Sequence, residues 1–82
     1  MSDYELIDGD TKYIFSYQDN GVGIEIIKSN LITLFGYMYW VLQDHLDGKI
    51  KLNTIDDSGD HKYISDKAFD IVIKLYKMRA FK

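Results

Sequence analysis

Apolar and polar positions alternate over the first third of the chain, and then the pattern changes. Tyr13, Phe15 and Tyr17 fall at every second position, as do Ile24 and Ile26, with Asn20-Gly21 between the two sets. A period of two predicts half-buried strands. Asn-Gly between alternating runs is a strong hairpin signal, because a tight loop needs positive φ at both central positions. With Asn20-Gly21 as that loop, Asp19 faces Val22, Tyr17 faces Ile24 and Phe15 faces Ile26. All five apolar residues then share one face, and Ser16, Gln18 and Glu25 share the other, with Ile14 and Ile27 as exceptions. Asp8-Gly9 makes the same offer upstream. It sets Ile7 against Asp10, Glu5 against Lys12 and Tyr4 against Tyr13, so opposite charges and two aromatics meet across the strands. Residues 4–28 therefore read as a three-stranded antiparallel meander.

From Leu31 to Leu46 the spacing suits a helix. Leu31, Leu34, Phe35, Met38, Val41, Leu42 and His45 recur at helical intervals and should pack on the sheet. Ser29 or Asn30 would cap this central helix, and Gly48 lies just past its end. Gly36, Tyr37 and Trp40 then fall on a second face. Trp and Tyr are the common anchors of protein interfaces, so these three are the candidate protein-binding residues. Lys49 to Ile55 alternates again and predicts a strand with Lys49, Lys51 and Asn53 outward. Asp56 to Asp60 is a turn, and His61 to Ile64 a short returning strand. Ser65 caps a last helix, with Ile64 and Phe69 at the spacing of a hydrophobic staple. Its apolar arc is Ala68, Phe69, Ile71, Val72, Leu75 and Tyr76. The whole is a single α+β domain over residues 1–82: meander, central helix, short β element, C-terminal helix.

Length sharpens this picture. A core built from 82 residues is marginal. With no Cys there is neither a disulfide nor a thiolate metal site to help, which leaves oligomerisation. The protein is therefore expected to self-associate. Seven Tyr residues suggest hydroxyls placed at the edge of the core or at an interface. The net charge of −3 divides unevenly, the first 48 residues carrying −6 and the remainder +3. The N-terminus MSDYELIDGD has no basic start and no apolar run behind it. The uncharged stretch between Ser29 and Gln43 is shorter than the roughly 20 residues a spanning helix needs. A soluble, cytoplasmic protein without a transmembrane segment is expected.

Candidate chemistry is sparse. Asp56, Asp57, Asp60 and His61 could surround a cation, but no distal bidentate Glu follows, and these are ordinary turn residues. Asp44 and His45 are adjacent, so on a helix they point apart and do not form an acid–base pair with His61. Gly21-Val22-Gly23 is too short for a phosphate loop. No catalytic group, metal or cofactor is expected, and the chain does not read as an enzyme. Lys67, Lys74 and Lys77, with Arg79 and Lys82, make a basic stripe on the last helix that could contact phosphate or an acidic partner. Asp66 and Asp70 interrupt it, and bases near a helix C-terminus also complement its dipole. A small nucleic-acid-binding module is the alternative to a protein-binding regulator, and nucleic acid is the less expected partner.

The Lys/Asp/Ile/Tyr-rich segments YELIDGDTKYIFSYQDNG and KAFDIVIKLYKMRAFK, in a short chain without Cys or Pro, give it a further likeness. The chain resembles the small accessory proteins of T-even phages. Among them its size and aromatic content look like the cytoplasmic antiholin of lysis inhibition, the third of the rapid-lysis proteins. That resemblance implies a regulator in the host cytoplasm that binds the cytoplasmic part of a holin and delays lysis. Phage inhibitors of a host enzyme or defence system have the same composition, which makes a host protein the other candidate partner. The resemblance carries no functional residue over.

Overall fold

The structure, a computed structural model, describes residues 4–54 and 64–80. It is α+β. Strands β1 (Tyr4–Asp8), β2 (Thr11–Tyr17), β3 (Gly21–Lys28) and β4 (Leu31–Met38) form one antiparallel sheet in the order β1-β2-β3-β4. Helices α1 (Tyr39–Leu46) and α2 (Asp66–Ala80) follow.

The sheet has four strands rather than three, because residues 31–38 are not helical. Ser29 and Asn30 have φ of 52° and 67°, both in the left-handed region. They form a two-residue loop that pairs Lys28 with Leu31. Positive φ at both central positions is the mark of a type I′ hairpin turn. The pair expected to cap a helix instead turns the chain back along β3. The stretch had satisfied helical spacing only because it is apolar at nearly every position, and an apolar run cannot separate the two periods. The helix begins at Tyr39, straight out of the strand, with Met38 as an N-cap that makes no side-chain hydrogen bond. It ends where expected, with Gly48 at φ 79° just past Asp47.

Both anticipated hairpins form, each slipped by two residues. The first loop is Gly9-Asp10, with Asp8 paired to Thr11 and Gly9 at φ 65°. In the second, Tyr17 pairs with Val22 and Phe15 with Ile24, so residues 18–21 make the turn, and the Gln18 amide donates to the Gly21 carbonyl at 2.7 Å. Neither Asn20 nor Gly21 has positive φ. Gly21 has another role, pairing with Met38 of β4, where a Cβ would stand 2.2 Å from the Tyr37 carbonyl oxygen. A two-residue slip leaves every side chain on its expected face. Lys12 also keeps its ion pair with Glu5, now on the diagonal at 3.7 Å.

One sheet face therefore presents Tyr13, Phe15, Val22, Ile24 and Tyr37, and all are buried. Leu42 of α1, Ile64, and Ala68, Val72 and Leu75 of α2 complete the core against them. Ser65 caps α2 as expected, its Oγ accepting from the Ala68 amide at 3.2 Å. The tyrosine hydroxyls lie at the rim of this core. The Ser65 amide donates to the Tyr13 hydroxyl at 3.2 Å, and the Tyr17 hydroxyl donates to the Leu75 carbonyl at 3.0 Å.

The strand expected from Lys49 is absent from the described residues up to Thr54. Asn53 sits at φ 57°, which breaks an extended run. Its side chain makes the pairing that a strand would have made. Nδ2 donates to the Ile64 carbonyl at 3.0 Å, and Oδ1 accepts from the Ile64 amide at 3.2 Å and from the Tyr37 hydroxyl at 3.3 Å. The rest of that strand, its return from His61, and Asp56, Asp57, Asp60 and His61 as a cation site lie outside the described residues.

Candidate interaction surface

The expected Gly36–Tyr37–Trp40 face does not exist as one surface. Successive side chains of a strand point to opposite sides. Gly36 lies on the outer face of the sheet, away from the helices. Tyr37 lies on the inner face and is buried, its ring edge-on to Phe35 and Phe69 at 5.0 and 5.6 Å. Trp40, on the first turn of α1, is exposed, and its Nε1 donates to Met38 Sδ at 3.2 Å. Of the three, Gly36 and Trp40 remain accessible.

Four exposed apolar residues, Ile7, Ile32, Leu34 and Met38, share the outer face, while Leu31, also exposed, lies at the end of β4 on the inner one. The register lines up Ile7, Lys12, Ile27 and Ile32 across the four strands, and beside them Glu5, Ile14, Glu25 and Leu34. Ile7, Ile32 and Leu34 are 71%, 62% and 77% exposed. Both helices contribute their buried residues to the inner side, so among the described residues no helix covers the outer one. A shallow groove of about 570 Å³ crosses it, with Gly21, Gly23 and Gly36 in its floor and Ile14, Leu34 and Met38 along its sides. The Gln18 side chain lies over Gly23 and is held there by Nε2 donating to Ser16 Oγ at 3.1 Å. Leu34 is not legible in the sequence as a surface residue, because a helix would turn it toward the core. The signal that points to it is Ser29-Asn30, two residues that tolerate a tight turn.

Lys67, Lys74 and Lys77 are exposed on α2, as expected of a polar stripe. Lys74 and Lys77 border a second groove, between α1 and α2, whose apolar lining includes Leu46, Phe69 and Ile73. Asp70 stands on the same groove and offsets part of their charge. Arg79 leaves the stripe. Its Nε donates to the Tyr39 hydroxyl at 3.1 Å, and its guanidinium lies 5.8 and 5.9 Å from the Tyr17 and Tyr39 ring centres. Burial raises the Tyr17 phenol above its ordinary pKa of 10.0, Tyr4 and Tyr39 add to that shift, and Arg79 opposes it.

His45 is tied into the structure. Its Nδ1 accepts from the Leu52 amide at 3.2 Å, and its ring meets Phe69 edge-on at 5.2 Å. Among the described residues no three His, Asp or Glu side chains converge as metal ligands would, and no helix is long and apolar enough to cross a membrane. Comparison with protein-family models, with curated proteins and with solved structures finds no match.

Proposed function

We propose that this chain is a non-enzymatic regulator that binds another protein through the outer face of its sheet. The observation that carries this is the exposure of Ile32 and Leu34 within the most apolar stretch of the chain. A small domain gains most by burying such residues, and contiguous apolar surface left open is characteristic of a recognition site. The likeness to antiholins gives the partner a form. It is the cytoplasmic part of a holin, and binding delays lysis in the host cytoplasm. A phage inhibitor of a host enzyme or defence system would use the same face on a different target.

Titrating the purified protein with the isolated cytoplasmic segment of a holin tests this by calorimetry. Saturable binding is expected, weakened about tenfold or more by Ile27→Lys, which sets a charge on the outer face away from either sheet edge. Binding that ignores Ile27→Lys would remove the outer face from the proposal. No binding by the unmodified protein would remove the holin.

A further inference from the structure

We infer that β4 pairs, antiparallel and across a two-fold axis, with β4 of a second copy of this chain. Two four-stranded sheets then become one continuous sheet.

The two sheet edges are built differently. β1 is five residues long and carries Glu5 and Asp8. β4 is eight residues long and uncharged, and no charged residue occurs from Ser29 through Gln43. Its pairing with β3 runs without a bulge from Leu31 to Met38. Edges that stay single are normally interrupted by charges, prolines or bulges, because a regular apolar edge templates another strand. Among the described residues, β1 has such protection and β4 has none.

The hydrogen-bond polarity of β4 fixes how a second strand can join. The two-residue turn makes Lys28 and Leu31 a hydrogen-bonded pair, and the Tyr39 amide donating to the Asn20 carbonyl at 2.8 Å continues the same alternation at the other end. Ile32, Leu34 and Gly36 therefore point their N–H and C=O groups away from β3. With the two-fold axis at Leu34, Ile32 of one copy lies opposite Gly36 of the other. Gly36 has no side chain to obstruct it there, and the nearest atom to a Cβ at that position is the Val22 carbonyl oxygen of β3, at 3.1 Å. On the helix side, Thr33 meets Phe35, a favourable pairing of β-branched and aromatic residues. No charge meets a like charge, which is what ordinarily prevents a strand from pairing with itself. The alternative, β4 of one copy against β1 of the next, would set Asp8 and Glu5 along an apolar strand and leave an open-ended chain. A two-fold axis closes. The dimer goes beyond the proposed function and does not depend on a heterologous partner, since it leaves the outer face open and doubles it.

Sedimentation equilibrium on the full chain should give twice the 9.6 kDa protomer mass. Thr33→Lys adds a charge at this edge on the side away from the outer face, and it should yield a monomer with unchanged circular dichroism. The chain has no Cys, so Leu34→Cys supplies a single thiol. Opposed residues of a hydrogen-bonded pair have Cα atoms about 5.5 Å apart, within disulfide range, so mild oxidation should link the copies covalently. Ile7→Cys, on the opposite edge, should not link. Three results overturn the inference: a monomer of the unmodified protein at about 1 mM, where even weak association registers; a dimer that survives Thr33→Lys; or linking of Ile7→Cys as readily as Leu34→Cys. If the protein is a dimer through β4 and binds no holin segment, the inference stands while the proposed partner falls. If Thr33→Lys is monomeric and still binds the segment, both stand as separate properties.

Discussion

Gly21→Ala places one methyl group against the backbone of β4. The new Cβ would lie 2.2 Å from the Tyr37 carbonyl oxygen and 3.0 Å from Met38 Cα, both backbone atoms of the neighbouring strand. Neither can swing aside as a flexible side chain would, so the end of β4 must retreat. Overpacking of this kind costs about 1–3 kcal/mol. The retreat also stretches the bond from the Tyr39 amide to the Asn20 carbonyl, worth about 1 kcal/mol more. A loss of about 2–4 kcal/mol is a large part of the roughly 4–12 kcal/mol expected of a domain this size. At about 4–8 °C per kcal/mol, the melting temperature should fall on the order of 15 °C. Gly9→Ala is the control. Gly9 has φ 65° and nothing within 4 Å of an added methyl, so it should lose only the left-handed penalty of about 1–2 kcal/mol. Asn tolerates that conformation, so Gly9→Asn should recover most of the loss while Gly21→Asn should not. Thermal melts followed by circular dichroism would show the order directly. A Gly21→Ala protein that melts within a few degrees of the unmodified one would refute the close approach of β3 and β4 at this point.

Two further predictions concern the rim of the core. Asn53→Asp keeps the left-handed backbone but removes the Nδ2 donor to the Ile64 carbonyl and leaves a carboxylate oxygen facing it, which should cost about 1–3 kcal/mol in urea unfolding; an unchanged midpoint would mean that this side chain does not hold Ile64. Tyr17 has a folded-state pKa raised above 10.0, so its stabilising contribution is complete below pH 10.0 and is lost as pH rises through the raised value. Difference titration of the phenolate absorbance against Tyr17→Phe should place Tyr17 above the ordinary tyrosine range, and a midpoint at or below that range would contradict the desolvation of its hydroxyl beside Leu75.

Local periodicity revealed much of this fold, and its blind spots have physical causes. The faces of β2 and β3 were legible because a period of two, once begun, fixes which side each residue takes. Their register was not, since two alternatives two residues apart give identical faces and differ only in the turn. Asn20-Gly21 offered a good loop, but Gly21 was needed beside Met38 of β4, a contact no local pattern reveals. The fourth strand was hidden for a related reason. Residues 31–38 are apolar at nearly every position, so they match a helix and a strand equally, and the choice is made by the backbone of Ser29 and Asn30. That one turn also relocated the candidate surface. It sent Tyr37 into the core, left Trp40 on α1, and brought out Leu34 beside Ile32. The apolar side of the last helix was legible, because Ser65 and the spacing of Ala68, Val72 and Leu75 agree on one orientation, whereas the turn of Arg79 toward Tyr39 was not.

The order of the strands has a consequence for how the chain is made. Each strand pairs with the one before it, so the sheet needs only hairpin closures and can assemble in step with synthesis, from the N-terminal end. Its inner face cannot be covered so early. Ala68, Val72 and Leu75 belong to α2, which is translated well after Met38 completes the last strand. During that interval the nascent sheet shows apolar side chains on both faces, and β4 is its uncharged edge. With its inner face bare, such a sheet is more prone to association than the finished protein. The pairing inferred for β4 is therefore open to a nascent chain before its core has closed.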